Sequence, residues 1–115
     1  MGFCFGGNKC ETEEILDDRY VINGNAALLD ELVGLSEADA AVRDRLDSLR
    51  VTVKYFNPTC SKKILSLDKR IADALGDVKM EVYAARERGK WNKVGELLGS
   101  LEELVISREA AEKAV

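Results

Sequence analysis

Between residues 59 and 86, TCSKKILSLDKRIADALGDVKMEVYAAR, the residues Ile64, Leu67, Ile71, Ala74 and Val78 follow one another at intervals of three, four, three and four. That spacing makes the apolar seam of a helix packed along its length against other helices. Leu75 and Val82 lie beside the seam and widen it into a stripe, as burial in a globular bundle requires. Matching seams lie on both sides, so this stretch is predicted to be the middle helix of an antiparallel bundle.

On its N-terminal side, Leu28, Leu32, Leu35, Val42, Leu46, Leu49, Val53 and Phe56 keep one heptad register, with Asp39 in the single polar slot. Two readings compete. A single helix over 26–56 would carry Asp39 as a polar seam position that specifies register. Alternatively, Gly34 ends one helix and Ser36 caps another, with Ser36-Glu37-Ala38-Asp39 resembling a capping box that has Asp in place of Glu. The break at 34–36 is preferred because it accounts for Gly34, Ser36 and Asp39 together. The shared register then lays both pieces along the same groove.

The run RVTVKYF (50–56) alternates like a strand, but Leu49, Val53 and Phe56 continue the helical seam, so helix is predicted. Asn57-Pro58 stops it, since the residue before proline avoids helical geometry and proline suits a first helical turn. So short a turn predicts antiparallel neighbours. The middle helix closes at Arg86-Glu87-Arg88-Gly89, with cations in the last turn and a terminal glycine. The last helix, roughly 91–113, carries Trp91, Val94, Leu98, Leu101 and Val105, with Leu97 and Leu104 alongside. Its polar tail SREAAEKAV is expected to fray.

Ahead of these seams, the glycine-rich residues 1–10, MGFCFGGNKC, are expected to form a flexible arm, and 11–115 a single domain. A short helix over 12–20 would turn Ile15, Leu16 and Tyr20 onto the bundle, followed by a turn at Asn23-Gly24-Asn25 in which Asn25 caps the next helix. The expected fold is all-α: an antiparallel up-down-up bundle of three long helices, the first kinked or split near Gly34, plus a short N-terminal helix.

Composition fits that fold and narrows the chemistry. The 115 residues suffice for one core, and a single proline among 46% hydrophobic and 33% charged residues describes a soluble helical protein. A net charge of −4 disfavours nucleic acid, whose binding relies on Lys and Arg neutralising phosphates. Residues 1–50 hold eleven acids against five bases, and residues 51–115 ten against twelve, so the acidic front half is expected to pair with the later helices. No stretch is long and apolar enough to span a bilayer and no signal peptide is evident, which places the expected site of action in the cytoplasm. Met1-Gly2 raises N-myristoylation with Cys4 as a palmitoylation partner, but Phe3 is bulky beside the acceptor and Gly6 stands where Ser or Thr is needed.

Candidate chemistry is sparse. The absence of histidine removes the commonest general base and metal ligand. Cys4, Cys10 and Cys60 are the basis of the alternative reading, a small metal- or thiol-dependent protein, with Cys60 at a helix start where the dipole lowers a thiol pKa. Their spacing lacks the tight pairs of structural zinc sites. The acid pairs Glu13/Glu14, Asp17/Asp18, Asp73/Asp77 and Glu102/Glu103 read as a solvated face, without an ExxH partner for a di-iron centre. Gly2, Gly6 and Gly7 do not form a phosphate-cradling loop. Gly95 and Gly99 form a GxxxG that hints at close packing, and Gly76 at a bend or a close neighbour. Tyr55, Phe56, Tyr83 and Trp91 are expected to cap the ends of the core.

No catalytic, cofactor-binding or metal site is assigned, and enzymatic activity is not expected. The leading expectation is a noncatalytic protein–protein interaction or assembly module, working through an unknown protein partner or self-association.

Overall fold

Burial of the periodic seams produces four helices, with the short N-terminal helix expected over 12–20 absorbed into the first of them. The computed structural model describes residues 5–114, with side chains from Leu16 onward. The helices are α1 (Phe5–Leu35), α2 (Ala40–Lys54), α3 (Lys62–Arg88) and α4 (Asn92–Ala114), and there is no strand among the described residues. Of the arm expected over 1–10, residues 5–10 form the first turns of α1, and 1–4 lie outside the described residues.

The predicted break near Gly34 is present, but its consequence is larger than a kink. A turn at Ser36–Ala38 reverses the chain, so α2 runs back antiparallel along α1 instead of continuing its groove. The cap is also displaced. Ser36 is buried with its hydroxyl unpartnered, and Asp39 is the N-cap, its Oδ1 accepting from the Val42 amide at 3.0 Å. The one polar slot in the heptad register is therefore a helix start. Asp39→Ala is expected to lower stability by about 1 kcal/mol, measured by urea denaturation, because it orphans a first-turn amide.

The turn predicted at Asn23-Gly24-Asn25 does not form. The segment lies inside α1, where Ile22, Asn25, Leu29 and Leu32 are buried on one face. Burial of that face outweighs the roughly 1 kcal/mol that a mid-helix glycine costs. Asn25 caps nothing; its Nδ2 donates across to the Asp68 carbonyl of α3 at 3.3 Å. Leu16 and Tyr20, expected to face the bundle, are instead 61% and 82% exposed.

α2 ends at Lys54 with Tyr55 as its C-cap, before Asn57-Pro58, and the linker runs on to Ser61 without making α2 and α3 neighbours. The two helices stand diagonally, without contact. The cyclic order is α1, α2, α4, α3, with α1 antiparallel to α2 and α3 antiparallel to α4. Asn25 beside Asp68 and Glu31 beside Lys79 (3.2 Å) show α1 and α3 running parallel. Arg45 beside Glu102 and Asn57 beside Glu112 show the same for α2 and α4.

The α3 seam is buried as its spacing predicts: Ile64, Leu67, Ile71, Leu75, Val78 and Val82 line one face, with Ala74 partly covered. Gly89 ends the helix in the left-handed region at φ 72°, its amide donating to the Ala85 carbonyl at 2.7 Å. Trp91, just ahead of α4, and Val94, Leu98, Leu101 and Val105 on it are buried. The tail does not fray, because Arg108 and Ala111 continue the buried face and the helix reaches Ala114. Gly99 and Gly76 have open space where a Cβ would stand, so neither marks a close helix crossing.

Candidate functional site

Three of the four buried faces carry a charged residue at the end where the α2–α3 linker passes. On α1, Asp18 precedes Ile22 by one turn in the series that continues through Asn25, Leu29 and Leu32. On α3, Asp68 lies four residues after Ile64 and three before Ile71; on α4, Arg108 follows Leu101 and Val105. The periodicity that buries their apolar neighbours turns all three inward. Asp18 and Arg108 are fully buried and Asp68 nearly so.

Apolar layers close over them on both sides. The main core runs up to Ile22, Phe56, Ile71 and Val105, and a smaller cluster of Ile64, Leu67 and Ala111 lies beyond. Arg108 is the hub. Its Nε donates to Asp68 Oδ1 at 3.0 Å, its Nη2 to the Asn57 carbonyl at 2.8 Å, and its Nη1 to Glu112 one turn on. Its Nη2 also lies 3.6 Å from Asp18 Oδ2, and the guanidinium stacks 4.5 Å over the Phe56 ring. Glu112 in turn accepts from the Asn57 amide and side chain. The linker amide of Thr59 donates to Asp18 Oδ2 at 2.9 Å. This network ties α1, α3, α4 and the linker together.

The charges are unbalanced: Asp18, Asp68 and Glu112 face a single guanidinium. Burial above all, then the neighbouring Asp68 carboxyl, pushes Asp18 up to about 7, against the lowering pull of the Thr59 amide and Arg108. Asp18 Oδ1, buried, has no donor.

Elsewhere the helices are clasped by exposed or half-exposed pairs. Arg45 grips Glu102 with two bonds of 3.0 and 2.6 Å and reaches the Gly95 carbonyl at 3.2 Å, joining α2 to α4. That hydrogen bond holds the Glu102 carboxyl below its ordinary value. Arg50 bridges Asp47 and Asp30, joining α2 to α1. The expected pairing of the acidic front half with later helices occurs at Glu31–Lys79 and Asp18–Arg108, whereas Arg45–Glu102 runs the opposite way.

The residues singled out from sequence are dispersed. Asp73 and Asp77 are exposed on α3. Asp17 and Asp73 border an open groove of about 540 Å³ between α1 and α3, floored by Val21 and Leu65. Glu13 and Glu14 lie outside the described side chains, as do Cys4 and Cys10. Cys60 is a free, half-buried thiol in the linker, two residues short of α3 rather than at its start. Among the described residues, acidic and cysteine side chains do not gather into a metal-holding group, and no helix is long and apolar enough to cross a membrane. Phe56 and Trp91 cap the core as expected, but Tyr55 is 76% exposed and Tyr83 is exposed as well.

Sequence reasoning left Asp68 and Arg108 unremarked and assigned Asp18 to a solvated face. The available signal was positional: each stands where its helix's seam calls for an apolar side chain. Against family models, curated proteins and solved structures, the chain finds no match.

Proposed function

We propose that this chain is a noncatalytic helical-bundle module for protein–protein association. The observation that carries the reading is the pair of apolar stripes left outside a core that four helices already close. On α1, Leu16 and Tyr20 stand one turn apart and are 61% and 82% exposed; on α2, Val51 and Tyr55 repeat the arrangement at the same end. Side chains four apart on a helix form one continuous strip. Single exposed apolar residues are ordinary, but paired strips topped by tyrosine have the composition of interface anchors. Between α2 and α4, Val51 and Tyr55 border a groove of about 210 Å³ rimmed by Glu109, Glu112 and Lys113, an apolar strip beside charges of both signs.

The charged layer supports the noncatalytic part of the reading. Its acids are engaged with Arg108, and none of Asp18, Asp68 and Arg108 lines any of the five main grooves among the described residues.

Site-specific photo-crosslinking in the producing cells tests the proposal. A benzophenone side chain at Tyr20 or Tyr55 is expected to yield one discrete adduct, either twice the 12.7 kDa chain mass or a defined heteromer. The same probe at exposed Asp77 should yield none. No adduct at either tyrosine, or equal labelling from Asp77, overturns it.

A further inference from the structure

The charged layer has an acceptor too many. Asp18 Oδ2 takes the Thr59 amide, while Oδ1 is sealed from water with no donor in reach. Asp18 Oδ2 and Asp68 Oδ2 converge on the same Arg108 nitrogen, Nη2, at 3.6 and 3.4 Å, so two buried carboxyls crowd one cation. Two ionised carboxylates offer four acceptor oxygens and no hydrogen, so a proton on one of them supplies the donor that the buried Asp18 Oδ1 lacks. We propose that Asp18 and Asp68 hold one proton between them beneath Arg108, and that this proton is a pH-sensitive latch tying α1 to α3 at the linker end of the bundle. The inference is independent of the association reading above.

The groups facing this proton fix its behaviour. From α3 comes Asp68; from α4 come Arg108 and, through it, Glu112. The linker supplies the Thr59 amide, the Asn57 carbonyl and the uncharged Phe56 ring, with Cys60 next along the chain. Asp17, the neighbour on α1, is exposed and borders the outer groove. One guanidinium thus offsets three acids. With the shared proton the layer carries a net charge of −1, and without it −2, in a site walled by apolar layers.

Asp18 is raised from an ordinary 3.8 to about 7. An acid raised by folding adds stability that is complete below its unfolded value and is lost as pH climbs to its folded value. The window is therefore about 4 to 7, with no further change above. One linked proton alters the unfolding constant by up to about tenfold per pH unit in that window. Glu102 has the opposite sign: its lowered value adds stability at neutral pH that is lost under acid. Total stability mixes the two, so the latch is read from a difference between proteins.

Urea unfolding of the full chain, wild type against Asp18→Asn, isolates it. The asparagine amide donates permanently where the shared proton donates only when bound, and its oxygen still accepts from Thr59. The ratio of wild-type to variant unfolding constants is expected to rise about a hundredfold or more from pH 4.5 to 7.5 and then level off. A ratio independent of pH overturns the proposal. If the variant does not fold, carboxyl-carbon NMR of the wild-type chain decides. A midpoint near 7 for Asp18 upholds the latch, and a midpoint in the ordinary carboxylate range overturns it.

Discussion

Arg108→Met is expected to destabilise the protein by about 3–5 kcal/mol at pH 8, the usual penalty for removing one partner from a buried ionic cluster. Methionine approximates the volume of the aliphatic stem, so packing changes little. What is lost are the bonds to Asp68, Glu112 and the Asn57 carbonyl and the stacking on Phe56. Asp18 and Asp68 are left as buried carboxylates with no cation. The deficit should narrow as pH falls toward 4, because Asp18, held up by burial, is then protonated, and urea titrations at pH 8 and pH 4.5 measure both effects. Arg108→Lys should rescue only part, since one ammonium cannot reproduce donors aimed from three nitrogens in a fixed plane. A deficit below about 1 kcal/mol, the range of exposed pairs, would mean that the layer is solvated.

Leu46→Asp is expected to abolish cooperative folding altogether. Leu46 is fully buried on α2 among Leu29, Leu32, Leu49 and Leu98 in the main core. Truncating such a leucine costs about 2–5 kcal/mol, and placing a carboxylate there adds several more for desolvation without a partner. The sum rivals the whole stability of a small domain, about 5–15 kcal/mol. Circular dichroism should show helix content falling without a sigmoidal melt, and sedimentation an expanded or aggregated chain. Leu46→Met, which keeps volume and polarity, should cost under about 1.5 kcal/mol. A folded monomeric Leu46→Asp protein would place α2 outside the core.

The two expectations probe parts of the chain that differ in how openly the sequence displays them. Leu46 belongs to a seam readable at sight, as do Ile71, Leu75 and Val78 on α3 and Leu98 and Leu101 on α4. The end of α3 was equally plain, because Gly89 takes the left-handed turn that its place after Arg86 and Arg88 implies. Arg108 is different. Taken alone, a charged residue in the last turns of a helix is what a solvated end looks like. Asp18 beside Asp17, and Asp68 beside Lys69, look no different. Only their coincidence at one level of the bundle, on three helices 40 to 90 residues apart in sequence, converts three surface-like residues into one buried network.

The apolar period of 3.6 by itself marked α2, α3 and α4 and the buried face of each, because both depend on spacing within a few turns of chain, whereas on α1 it turned Leu16 and Tyr20 inward where the fold buries Asp18 and Ile22. It also marked the break near Gly34. Tertiary structure alone decided the direction of the chain after that break and the diagonal placement of α2 and α3. It also decided the partners of Asp18, Asp68 and Arg108. A shared heptad register is satisfied equally by a helix that continues and by one that folds back, since both offer the same face. The choice rests on how much apolar surface four helices cover together, and on three acids sharing one arginine, sums that no local stretch of sequence contains.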